Sequence, residues 1–346
     1  MEINKNININ IKSIKSLPVP SELRKILPIR EEVEKNIQQS RDIIKKILNQ
    51  EDKRLLIIVG PCSIDNTKAA LEYAKKLRNL KSRLGKIFIV MRTYLEKPRT
   101  TTGWKGFVND PYLDGSHDMA YGLREARKLL INLAEDIPTA TEALDPFTIH
   151  YFAELLSWVS IGARTSESQP HREMASGLSM PVGFKNSTDG GIEVAINAIE
   201  SAKNPHCFLG INNQGVISMV KTIGNSWGHL ILRGGKNKTN YNEDDIKYAV
   251  ERLKNKRLAT SLIVDCSHDN SQKKSKNQIE VFEKIVEQRK SGNTNIVGVM
   301  LESYLYAGNQ KIPADLSQLK YGVSVTDECL DWETTEKLLI YANENL

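Results

Sequence analysis

Eight short runs rich in Ile, Val and Leu recur along the chain, and amphipathic stretches separate most of them. The runs lie at 54–60 (RLLIIVG), 87–92 (IFIVMR), 139–143 (TATEA), 159–163 (VSIGA), 181–185 (PVGFK), 229–233 (HLILR), 261–267 (SLIVDCS) and 296–302 (IVGVMLE). Near-continuous apolarity, rather than alternation, marks strands covered on both faces, as in a parallel sheet. Helical spacing is read at 67–80, 117–134, 148–157, 191–203, 243–254 and 277–290. Alternating strands and helices, with eight strands in all, predict an α/β fold of the (β/α)8 TIM-barrel type. A doubly wound sheet is the alternative, but no GxGxxG turn follows the first run.

Two segments stand outside that alternation. Residues 1–50 hold a polar leader, a stretch punctuated by Pro18, Pro20 and Pro28, and a helix near 31–48. They are read as an N-terminal extension for oligomer contacts or regulation, with 51–346 as the catalytic barrel; a plug under the barrel is the other reading. An extra apolar run at 206–211 (HCFLGI), followed by NNQG, predicts a hairpin inserted between the fifth and sixth barrel strands.

Composition narrows the class. A chain of 346 residues, 40% hydrophobic and 26% charged, is ordinary for a globular barrel. The net charge of +6 is dispersed, with no dense basic run interleaved with aromatics, so no nucleic-acid partner is expected. Cys62, Cys207, Cys266 and Cys329 form no CxxC pair, which argues against a zinc ribbon or disulfide scaffold and fits a reducing cytosol. The opening MEINKNININ is too polar for a signal-peptide core, and no apolar run approaches the ~20 residues needed to cross a bilayer. A soluble, cytoplasmic protein without a membrane partner is expected.

The chemistry gathers where the apolar runs stop. Arg92, Arg164, Lys185 and Arg233 close such runs, and a cation there needs an anion nearby. Four cations exceed what one phosphate requires, so a ligand with both phosphate and carboxylate fits better. The loop Lys97-Pro98-Arg99-Thr100-Thr101 mixes cations with hydroxyls, as a second phosphate site would. Cys62, His268, Glu302 and Asp327 also follow apolar runs. Each alone reads more readily as structural, but at four equivalent positions they read as ligands of one divalent metal. The mixed thiolate, imidazole and carboxylate set suits Mn, Fe, Co or Zn better than Mg or Ca. Glu142 could orient the cations or hold a water. Lys185 could instead be a Schiff-base lysine, its pKa lowered by neighbouring cations.

Several motifs resemble those of type I 3-deoxy-D-arabino-heptulosonate-7-phosphate (DAHP) synthase. They are GPCSI at 60–64, EKPRTT at 96–101, WKG at 104–106, GARTSESQ at 162–169, GFKN at 183–186, LRGGK at 232–236, DCSHDNS at 265–271 and GVMLES at 298–303. The resemblance implies condensation of phosphoenolpyruvate with erythrose 4-phosphate at the head of the shikimate pathway. It implies that Cys62, His268, Glu302 and Asp327 bind the metal. Arg92, Arg164, Lys185, Arg233 and the Ala163 backbone would hold phosphoenolpyruvate, and Lys97, Arg99 and Thr100 the erythrose phosphate. Lys97 would serve as an acid toward the aldehyde oxygen, and Glu142 or His268 would activate water.

There are departures from the family pattern: Asp65 stands where many relatives have His, and Ser166 where Thr is commoner. TEALDP at 141–146, ASGLSMPVGFKN at 175–186 and FLGIN at 208–212 look more like the tyrosine-sensitive form. An aromatic amino acid effector would then sit near Leu178, Ser179, the 206–215 insert and the extension, in a homodimer or homotetramer. The rival functions are the arabinose 5-phosphate condensation, a Schiff-base aldolase and a non-catalytic barrel.

Overall fold

Strands whose residues are nearly all apolar must be covered on both faces, and this chain achieves that by closing them into a ring. The computed structural model describes residues 8–346, so the first residues of the polar leader, 1–7, lie outside it. In chain order the strands are β1 (Leu55–Gly60), β2 (Ile87–Arg92), β3 (Thr139–Glu142), β4 (Trp158–Ile161), β5 (Val182–Lys185), β6 (Cys207–Ile211), β7 (Ile217–Lys221), β8 (Gly228–Leu232), β9 (Leu262–Asp265) and β10 (Ile296–Glu302). Eight of them close a parallel barrel in the order β1-β10-β9-β8-β5-β4-β3-β2, and β6 and β7 pair separately. The barrel and the inserted hairpin are as the sequence pattern predicts.

Register places the chemistry. Gly60 stands opposite Glu302, Met300 opposite Asp265, and Lys185 opposite Ile231. The C-terminal strand ends, where the apolar runs stop, therefore share one rim. Gly60 is needed there, because a Cβ would come within 2.8 Å of Arg92 O. Inside the ring, Leu56, Ile58, Val90, Ala140, Trp158, Ile231, Ile263 and Met300 form a buried cluster with Ile44, Ile47 and Leu48. The last three belong to α2 (Glu31–Leu48), which follows α1 (Pro20–Ile26). Ser261 Oγ donates to Leu48 O at 2.6 Å, so the end of α2 caps the closed bottom of the barrel.

The outer layer contains α3 (Thr67–Lys81), α4 (Met119–Ala134), α5 (Gln169–Gly177), α6 (Glu193–Ala202), α7 (Glu243–Asn255), α8 (Asn277–Lys290) and α9 (Trp332–Asn345). Local chemistry starts several of these: Asn66, Asp118 and Asp331 each accept a first-turn amide. The short α5, with proline in its first turn, and α9 are additions to the sequence reading. Among the described residues no helix is long and apolar enough to cross a membrane.

One expected helix is absent. Residues 148–157 form two short 3-10 turns, Thr148–Tyr151 and Ala153–Leu155. Their carbonyls are taken by arginines rather than by successive helical turns. Arg24 binds His150 O, Arg127 binds Tyr151 O, and Arg41 binds both Ala153 O and Leu156 O. These contacts also tie α1 and α2 to the barrel wall.

Candidate functional site

A cavity of about 270 Å³ opens at the C-terminal rim, lined by Arg92, Lys97, Arg99, Thr100, Glu142, Ala163, Arg164, Lys185, Arg233, His268, Glu302 and Asp327. Cys62, the remaining candidate, is fully buried behind this lining, and Lys97 Nζ donates to its Sγ at 3.0 Å. The ring thus brings together residues from nine separate segments of the chain, Cys62 included.

The three donors Cys62, Glu302 and Asp327 offer ligand atoms that all lie within 4.8 Å of one another. His268 is just outside that group, with Nε2 4.0 Å from Glu302 Oε1. Its Nδ1 is held by Ser267 Oγ at 2.7 Å and Asp265 Oδ2 at 3.0 Å. An imidazole oriented through Nδ1 presents Nε2 toward the donor group, the usual arrangement of a metal-binding histidine. Burial first, then Glu302, pushes the Cys62 thiol up to about 12, Lys97 only partly opposing them. A cation among these donors would reverse that trend, because thiolate is the ligating form.

The cations divide by environment. Arg92 is sealed in: Nη2 reaches Glu302 Oε1 at 3.0 Å and the guanidinium lies 3.9 Å over the Tyr94 ring. Among the described residues its Nη1 has no hydrogen-bond partner, and neither does Arg233 Nε or Glu142 Oε1. Buried polar atoms are rarely orphaned, and all three belong to residues that line the cavity, a lining suited to a polar guest. Arg233 pairs with Asp269. Arg164, by contrast, is exposed and reaches across the mouth to Thr100 Oγ1 at 3.0 Å, while Arg99 and Thr100 are also exposed. Glu142 requires Gly162, since a Cβ at that position would collide with Oε1.

Lys185 corrects one expectation. Burial, the largest influence, and Arg92 work against its charge, yet Asp265 at 2.8 Å, joined by Tyr94 and Glu142, holds its pKa above the ordinary lysine value. The sequence reading placed only cations around Lys185. The buried Asp265 on β9, one strand beyond the neighbouring β8, makes it an ion-paired ammonium, which is not a nucleophile. Burial alone would raise the Asp265 carboxyl, but Lys185, His268 and Arg92 keep it well below the usual range. Asp265 is the residue that sequence reasoning missed. The same signal that singled out the cations, a charge closing an apolar run, stands in LIVD.

Comparison with known proteins converges on one family. A family model described as the DAHP synthetase I family matches residues 28–340. The Tyr-sensitive phospho-2-dehydro-3-deoxyheptonate aldolase of Salmonella typhimurium is 48% identical over 341 residues, covering 98% of this chain and 96% of that protein. The Trp-sensitive one of Shigella flexneri is 49% identical over 339 residues, covering 97% of each. A solved structure of phospho-2-dehydro-3-deoxyheptonate aldolase from Francisella tularensis matches with a TM-score of 0.95 and 46% identity, over 97% of this chain and 98% of that one. With its barrel, its rim and its match along nearly the whole length, this chain belongs to the DAHP synthetase I family of enzymes.

Proposed function

We propose that the protein condenses phosphoenolpyruvate with D-erythrose 4-phosphate and water, giving 3-deoxy-D-arabino-heptulosonate 7-phosphate and phosphate at the start of the aromatic pathway. Family membership supports the reaction class. The observation that carries it to this site is the convergence of four cations, Arg92, Arg164, Lys185 and Arg233, on one cavity. These four residues suit the phosphate and carboxylate of phosphoenolpyruvate, with the Ala163 backbone beside them. Arg99, Thr100 and Lys97 suit the aldose phosphate and its aldehyde end.

The clustered soft and hard donors Cys62, Glu302 and Asp327, with His268 adjoining, fit one divalent Mn, Fe, Co or Zn ion. When bound, it would supply Lewis-acid polarisation of the aldehyde. The protein's own residues do the rest. The cations neutralise two polyanions and hold them face to face, so that C3 of phosphoenolpyruvate bonds to the aldehyde carbon. Lys97 would give a proton to the aldehyde oxygen, a role supported by its Nζ lying 3.0 Å from Cys62 Sγ and 3.7 Å from Asp327 Oδ2. Water adds at C2, with Glu142 or His268 as its base, and C–O cleavage releases phosphate.

The relatives' names include both Tyr- and Trp-sensitive forms at nearly equal identity, so we assign an aromatic amino acid effector without choosing which. Its site would adjoin Leu178 and Ser179, close to the hairpin base through the 2.7 Å Ser176–Thr222 hydroxyl contact. The hairpin turn in turn meets α1, where Ser21 N donates to Asn213 O at 2.9 Å. We also assign a homodimer or homotetramer, supported by the apolar face that the hairpin exposes.

Phosphate release from the two substrates, with chelator and then with Mn(II) restored, tests the reading. Loss on chelation and recovery with metal is expected. Turnover indifferent to chelation would remove the metal, and turnover with arabinose 5-phosphate alone would reassign the aldose.

A further inference from the structure

We propose that a buried Asp65–Tyr304 pair is a positioning clip that holds the loops carrying Cys62, Glu302 and Asp327 in mutual register. This inference rests on the metal reading above. Tyr304 Oη donates to Asp65 Oδ1 at 2.8 Å, although the two residues are 239 apart in sequence. Asp65 is only 8% exposed and Tyr304 is fully buried. A buried carboxylate is costly without compensation. Here no lysine or arginine supplies it among the described residues; burial dominates, and the Tyr304 hydroxyl, with backbone help from Asp65, Val325 and Asn66, offsets part of that cost.

Those partners name the loops that the pair joins. Asp65 lies three residues after Cys62, Tyr304 two after Glu302, and Val325 two before Asp327. The main chain continues the same stitching. Tyr304 N donates to Leu330 O at 2.8 Å, Leu330 N to Glu302 O at 2.9 Å, and Ser303 N to Gly60 O at 2.9 Å. Ser63 Oγ and Thr326 Oγ1 meet at 2.7 Å. Asp65–Tyr304 is thus a side-chain bond whose two ends belong to different donor-bearing loops. The Tyr304 ring is backed by Tyr73, 6.5 Å away in an edge arrangement, so removing the hydroxyl would not empty the site. Neither Asp65 nor Tyr304 lines the catalytic cavity. Their effect would therefore be on donor geometry rather than on substrate contact.

The test is Mn(II) affinity of the full chain without substrates, with the thiolate charge-transfer band of bound Co(II) reporting Cys62. Tyr304→Phe and Asp65→Ala should each weaken Mn(II) about tenfold, the lower end for groups that orient metal ligands. Asp65→Asn, whose amide oxygen still accepts from the phenol, should stay close to wild type. The Asp65→Ala/Tyr304→Phe double variant should lose no more than either single one, as expected for one shared bond. Additive losses, or unchanged Mn(II) affinity in both single variants, would overturn the clip. So would a loss of phosphoenolpyruvate binding in metal-free Tyr304→Phe, because that would mean general damage to the mouth. Wild-type protein that bound Mn(II) without condensing the two substrates would refute the assigned reaction, while the affinity pattern would still decide the clip.

Discussion

The barrel mouth hides charge, whereas the inserted hairpin displays hydrophobic surface. At the mouth Arg92, Lys185, Asp265 and Glu302 are buried and joined in pairs, Arg92 to Glu302 and Lys185 to Asp265. On the hairpin, Leu209, Ile217 and Met219 are 77%, 70% and 69% exposed. Leu209 and Met219 are direct cross-strand partners, so the exposed side chains share one face. Both regions run against the ordinary partition of polar outside and apolar inside. The difference lies in what is left over. The mouth pairs its deepest charges internally and leaves Arg99 and Arg164 free of carboxylate partners, among the described residues, around a cavity of small-ligand size. The hairpin leaves a flat apolar strip, which suits a protein surface better than a small molecule.

Replacing Lys185 with Met should break the mouth most severely. It strands the Asp265 carboxylate, a loss of about 3–5 kcal/mol of the kind seen when one partner of a buried pair is removed. Urea unfolding should show that loss, and phosphate release should vanish. Adding Asp265→Asn should restore most of the stability and none of the turnover. Recovered turnover would mean that Lys185 serves the fold rather than the substrate.

The hairpin should respond in the opposite way. Leu209→Lys with Met219→Lys should leave the urea midpoint of the separated chain almost unchanged, within about 0.5 kcal/mol, as for surface substitutions generally. Sedimentation velocity should show the assembled particle breaking into smaller species. An unaltered sedimentation profile would show that this face is not the assembly surface.

A smaller and pH-dependent effect belongs to Glu96, the buried neighbour of Lys97. Burial, followed by Asp145, pushes its carboxyl from 4.5 up to about 8. The folded chain therefore keeps a proton that the unfolded chain releases, and stability falls as pH rises from 4.5 through about 8. Glu96→Gln should flatten that slope, gaining stability progressively up to about pH 8 and nothing near pH 4. Parallel slopes for variant and wild type across this range would show that Glu96 does not carry the dependence.

Much of the site was legible because one local signal repeats: an apolar run that ends in a charge or a metal-ligand side chain. Arg92, Lys185, Arg233 and Glu302 all follow it, and all reach the same cavity. Arg164 follows it too, yet is exposed, because residues past the end of β4 swing over the rim. Asp265 carries the signal but was passed over, since a lone acid near supposed anion binders has no evident purpose until Lys185 is seen beside it. The 148–157 stretch misled because its helical spacing is real, but Arg24, Arg41 and Arg127 from other elements take its carbonyls.

By itself the sequence determined the barrel, the inserted hairpin and the rim on which the reactive residues lie. Those follow from short-range periodicity and from the cost of leaving apolar strands uncovered. Only the tertiary structure decided which charges meet, that Cys62, Glu302 and Asp327 gather within 4.8 Å with His268 just outside the group, and that Asp65 meets Tyr304. Such pairings join residues far apart in the chain. They arise when strand order and register close the ring, a step that leaves no periodic trace in either partner's local sequence.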